Sequence, residues 1–123
     1  MPAKKRTRAH LQRGSAASRM SLIENNTDTR SVMIEYVPYG NRTFRFKKYL
    51  ELCPAYDETG ELLCLEYEPI GIHVFADTRE ELLAELAEQI CMLWDEYACE
   101  DDGNLTPAAI RLKRNLLAAL EEV

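Results

Sequence analysis

A chain of 123 residues with 46% apolar side chains and a formal charge of −6 has room for one ordinary domain with its own core, not for two. No apolar run approaches the ~20 residues of a membrane span, and residues 1–20 are charged without the apolar stretch of a secretory signal. The four cysteines, Cys53, Cys64, Cys91 and Cys99, form no C-x-x-C pair and have apolar neighbours, which points to buried thiols in a reducing cytosol; the rival, a disulfide framework, needs a secreted chain.

Charge divides the chain. Residues 1–30 hold seven basic side chains (Lys4, Lys5, Arg6, Arg8, Arg13, Arg19 and Arg30) against Glu24 and Asp28, a formal +5. Residues 31–123 hold eight Lys and Arg against nineteen Asp and Glu, a formal −11. An acidic body is repelled by a polyanion, so any nucleic-acid contact is expected through the tail. That tail has few aliphatic residues and no aromatic ones to stack on bases. It cannot bury enough surface to offset the entropy of ordering, so residues 1–30 are expected to remain a disordered basic tail ahead of a single domain at 31–123.

In Ser31 to Val37, the side chains Val32, Ile34 and Tyr36 share one face of an expected strand. Pro38 to Asn41 reads as a turn. Arg42 to Leu52 alternates again, with Phe44, Phe46, Leu50 and Leu52 inward and Arg45, Lys47 and Glu51 outward. Lys48 falls on the apolar side, which predicts a bulge or an edge there, and Pro54 is expected to end the strand. Asp57 to Gly60 is a second turn. Glu61 to Glu68 follows with Leu63, Leu65 and Tyr67 on one face, then Pro69-Ile70-Gly71 breaks the pattern. Ile72 to Ala76 is the fourth strand, Ile72 and Val74 opposing His73 and Phe75. The short links favour antiparallel neighbours.

A helix opens at Thr78, whose hydroxyl can cap it, with Glu81 three residues on to complete a capping box. Leu82, Leu86, Ile90, Leu93 and Tyr97 form its apolar stripe, widened by Leu83, Ala87, Cys91 and Trp94. Glu80, Glu81, Glu85 and Glu88 stay on the wet side. After Glu100 to Asn104, where Gly103 or Asn104 can supply a left-handed residue, Thr106 and Pro107 open a second helix. Ile110, Leu112, Leu116, Leu117 and Leu120 are its expected apolar contacts. The expectation is an α+β fold, ββββαα, with one four-stranded, mostly antiparallel sheet followed by two helices on one face.

Asp57 to Leu93 resembles the core of HicB-type antitoxins. Asp57 to Gly60 matches the turn, Leu62 to Tyr67 the second strand, Pro69 and Gly71 the break, and Asp77-Thr78 with Glu81 the helix start. The match covers under half the chain. Ile70 separates the proline from the glycine, Ala76 stands where a glycine is usual, and Leu82 where alanine is usual. No recognisable helix-turn-helix or ribbon-helix-helix segment follows. The resemblance implies a truncated ribonuclease-H-like sheet that masks a small RNA-cleaving toxin.

Little in the chain spells out chemistry. His10 lies in the tail and His73 stands alone on a strand, short of the positioned partner a general base needs. The Cys and His spacings fit no familiar zinc pattern, no phosphate-binding or nucleophile motif is present, and the acidic run Asp95 to Asp102 lacks the ligand order of an EF-hand. No catalytic, cofactor or metal residue is assigned. The expected function is a non-enzymatic protein-interaction module with a small basic partner, itself a candidate homodimer. The alternatives are a metal-dependent hydrolase built on Asp57, Glu66 and Glu68, and a nucleic-acid binder acting through the tail.

Overall fold

A computed structural model describes residues 28–123. The expectations for the basic tail, including His10, lie outside the described residues up to position 27. The protein is α+β, but its strands form two three-stranded antiparallel sheets instead of one four-stranded sheet. The first holds β1 (Val32–Tyr39), β2 (Arg42–Leu52) and β6 (Leu120–Glu122), in the order β1-β2-β6. The second holds β3 (Ala55–Tyr56), β4 (Leu63–Tyr67) and β5 (Ile72–Ala76), in that order.

The division falls at Cys53–Pro54. Proline has no N–H to donate to a ladder, so β2 stops and the chain begins a new sheet two residues later. The sixth strand arises at the other end. Leu120 was expected on the second helix, yet the chain leaves the helix there and pairs with β2, setting Leu120 opposite Phe46 and Glu122 opposite Phe44. Leu120 is buried all the same, as a strand residue.

Of the two readings of Lys48, a bulge or an edge, the bulge is present and has a consequence. Ile34 pairs with Leu50, but Tyr36 pairs with Arg45, so Phe46 to Tyr49 stand opposite Glu35 alone. Lys47, Lys48 and Tyr49 are all exposed, but Phe44 and Phe46 before them and Leu50 and Leu52 after them face the same way, while the register moves by an odd number of residues. β1 must therefore change faces. Val37 is buried and Tyr36 is exposed, the reverse of what simple alternation predicts.

Helix α1 (Arg79–Leu93) starts as expected, with Thr78 Oγ1 accepting the Glu81 N–H at 3.1 Å. It lies against β5 and β4 of one sheet and β1 of the other, and so joins the two layers. Leu82, Leu86, Ile90 and Leu93 form its buried side, in one core with Phe44, Phe46, Leu63, Leu65, Ile72 and Val74. A π-helical turn, Trp94–Ala98, extends it. Helix α2 (Pro107–Ala119) is capped by Thr106 Oγ1, which accepts the Ala109 N–H at 3.2 Å. It packs on the π-turn, on β2 and on a 3-10 turn at Glu68–Ile70. Leu116 is fully buried, whereas Leu117, expected inside, is exposed on the helix's outer side. Neither Gly103 nor Asn104 adopts a left-handed conformation; a 3-10 turn, Asp102–Asn104, makes the connection. Gly40, Gly60 and Gly71 do take positive φ, the first two at the turns anticipated for them.

All four cysteines are free, and only Cys91 is fully buried. Cys53 and Cys99 are exposed: Cys53 follows the buried Leu52 across the pleat, and Cys99 follows the buried Ala98 in the turn that ends the π-helix. Among the described residues no helix is long and apolar enough to cross a membrane.

Candidate functional site

Two features of the surface can carry chemistry or binding. The first is a groove between β1 and α1. Val32, Met33, Ile34, Tyr36, Val37 and Pro38 form one wall, and Leu83, Ala84, Leu86 and Ala87 the other. It is an open groove of about 360 Å³ with a mostly apolar lining. β1 is the outer strand of its sheet, and among the described residues no strand pairs with its free edge. The groove exists because the face change in β1 turns Tyr36 outward, while α1 places small residues, Ala84 and Ala87, opposite the strand. Met33 and Tyr36 are more than half exposed. Sequence reading missed this cleft because it took Tyr36 for a core residue.

The second feature lies on the solvent face of the β3-β4-β5 sheet. Cys64 and Glu66 sit two residues apart on β4 and therefore point the same way. On β5, Phe75 stands opposite Cys64 and His73 opposite Glu66. The backbone N–H and C=O of His73 both bond Gln89 of α1, at 2.8 and 3.4 Å. They turn away from β4, so Glu66 and His73 are a non-hydrogen-bonded pair, the arrangement that brings facing side chains closest. His73 Nε2 stands 2.8 Å from Glu66 Oε2. Its ring packs on Phe75, with centroids 4.7 Å apart. Donor atoms of Cys64, Glu66 and His73 all lie within 4.8 Å of one another. Burial pushes the Cys64 thiol up, and the negative charges of Glu66 and Asp57 push it further.

The carboxylates Asp57, Glu66 and Glu68 do not converge. Asp57 serves its own turn: its Oδ1 accepts Thr59 Oγ1 at 2.7 Å, Glu61 N at 3.2 Å and Leu62 N at 3.3 Å. Burial alone would raise the Asp57 carboxyl, but these bonds and one from the Gly60 backbone outweigh it and hold the group below the usual range. Glu68 opens the 3-10 turn, and only Glu66 reaches His73. The two ends of the acidic run Asp95 to Asp102 are held in ion pairs. Asp95 receives a two-pronged bond from Arg42, at 2.9 Å on each oxygen, and Asp102 pairs with Lys113 at 2.9 Å.

Sequence reading considered His73 and Glu66 but had no reason to join Cys64 to them. The usable signal was weak: a C-x-E alternation on one strand and a histidine on the returning strand. No family model, curated protein or solved structure matches this chain.

Proposed function

We propose that this chain is a non-enzymatic interaction module that grips a small basic protein, the role implied by the resemblance of Asp57 to Leu93 to HicB-type antitoxins. One observation carries the reading: an apolar groove runs beside an unpaired strand edge on a domain whose residues 31–123 carry a formal −11. A partner strand laid along β1 gains main-chain hydrogen bonds from the edge, and its side chains fill the cleft. Glu80, Glu81, Glu85 and Glu88 are exposed on α1, the helix that carries one wall of the groove, and draw in a cationic partner by long-range steering. At least three of the domain's eight cations are engaged by its own carboxylates, Arg42 with Asp95 and Glu122, Arg45 with Glu121, and Lys113 with Asp102, and the excess of carboxylates leaves the outer field negative.

The test is co-expression with the products of the adjacent reading frames, where the reading expects a small basic protein, followed by light scattering on the purified species. A mixed complex that is lost on Met33→Glu and on Ala84→Glu, with circular dichroism unchanged, supports the reading. Absence of a mixed complex, or one that survives both substitutions, overturns it. Self-association abolished by the same substitutions would assign the groove to a second copy of the chain instead.

A further inference from the structure

We propose that Cys64, Glu66 and His73 form a binding site for Zn2+ on the outer face of the β3-β4-β5 sheet. The geometry brings three kinds of donor together: a thiol sulfur, a carboxylate oxygen and an imidazole nitrogen, each within 4.8 Å of the other two. Such separations close onto one ion by side-chain rotation, since Zn–S is about 2.3 Å and Zn–N and Zn–O are about 2.0–2.2 Å. The backbone needs no rearrangement, because two donors alternate along one strand and the third is on the facing strand.

Donor chemistry selects the metal. A mixed sulfur, nitrogen and oxygen set is too soft for Mg2+ or Ca2+ and suits borderline Zn2+. Support from outside the triad is in place. Gln89 clamps both backbone groups of His73, and Phe75 packs on its ring, so the imidazole is held over the sheet before any ion arrives. On binding, the Cys64 thiol gives up its proton, the sulfur, carboxylate and neutral imidazole each form one bond to the ion, and five of the six waters of the aqueous ion leave. Three protein donors complete only part of a tetrahedron. Glu66 and His73 are both more than half exposed, so the fourth position faces solvent, where a water or a partner's side chain completes it.

Co2+ is the probe, titrated into the reduced, metal-stripped full chain. One equivalent is expected to produce the strong visible bands of four-coordinate cobalt and a near-ultraviolet thiolate-to-cobalt band, both removed by added Zn2+. Cys64→Ser should abolish the thiolate band, and His73→Gln and Glu66→Gln should each weaken binding at least tenfold. Cys53→Ser and Cys99→Ser, which alter the two exposed thiols elsewhere, should leave the spectrum intact. All three sites of substitution in the cluster are on the solvent side of the sheet, and circular dichroism verifies that each variant folds. A weak six-coordinate spectrum overturns the proposal, as does a thiolate band that persists in Cys64→Ser or an affinity unmoved by His73→Gln.

Discussion

The side-chain amide of Gln89 occupies the place of a neighbouring strand beside His73: its oxygen accepts the His73 N–H at 2.8 Å and its nitrogen donates to the His73 carbonyl at 3.4 Å. An amide side chain reproduces both halves of a peptide group, so one residue of α1 closes part of the open edge of β5. Gln89→Ala is expected to cost about 1 kcal/mol, since water can replace bonds at this partly exposed edge. Chemical denaturation checks the cost. Faster amide exchange at His73 in the variant identifies its origin.

Leu116 and Leu117 are neighbours in sequence and opposites in the fold. Leu116 is fully buried, whereas Leu117 is 40% exposed. Leu116→Ala is expected to destabilise by about 2–5 kcal/mol and Leu117→Ala by less than about 0.5 kcal/mol. Leu120→Ala belongs with the first group, because Leu120 is buried against Phe46 in the strand that closes the first sheet. Denaturation midpoints of the three variants provide the comparison. Equal effects at Leu116 and Leu117 would contradict the helix's orientation.

Asp57 is held ionised by the turn it organises, and the sign of its pH effect follows. Its folded pKa lies below the unfolded value, so its stabilisation is complete above about 3.9, the ordinary Asp value, and fades as pH falls through the lower folded value. Asp57→Asn should therefore be less stable than the natural chain at pH 7. The gap should narrow on acidification below the carboxylate range, which thermal melts at stepped pH can follow.

Arg42 joins three elements: Asp95 in the π-turn, Glu122 in β6 and the sulfur of Cys91 in α1, while its guanidinium lies 5.1 Å from the centre of the Phe44 ring. Both carboxyls are held below their usual range, chiefly by hydrogen bonds from Arg42. The network stabilises at neutral pH and is lost as Asp95 and Glu122 take up protons at low pH. Arg42→Met should reduce stability at pH 7 and leave a smaller fall of melting temperature on acidification. Because these groups are partly exposed, the difference at pH 7 should also shrink in high salt.

Parts of this architecture were legible because they depend on neighbours in the chain. Thr78 and Thr106 cap their helices through bonds three residues away, and the Leu82, Leu86, Ile90 stripe follows from helical period alone. Lys48 marked an irregularity, because a charge on an apolar face calls for a bulge or an edge, and the register shift opposite Glu35 shows the bulge. Leu120 was misplaced because a leucine at helical spacing looks the same whether the helix continues or the chain turns into a strand; only the edge of β2 decides between them.

The sequence by itself determined the order of most elements, the two helix starts and the acidity of the domain, since capping, periodicity and charge act over a few residues or none. Tertiary structure alone decided that the strands divide into two sheets, that β1 changes faces between Ile34 and Val37, and that Cys64 meets His73. Those outcomes depend on which strand lies beside which and in what register. Pairing energies between distant segments set that register, and a one-residue slip would reverse every side chain.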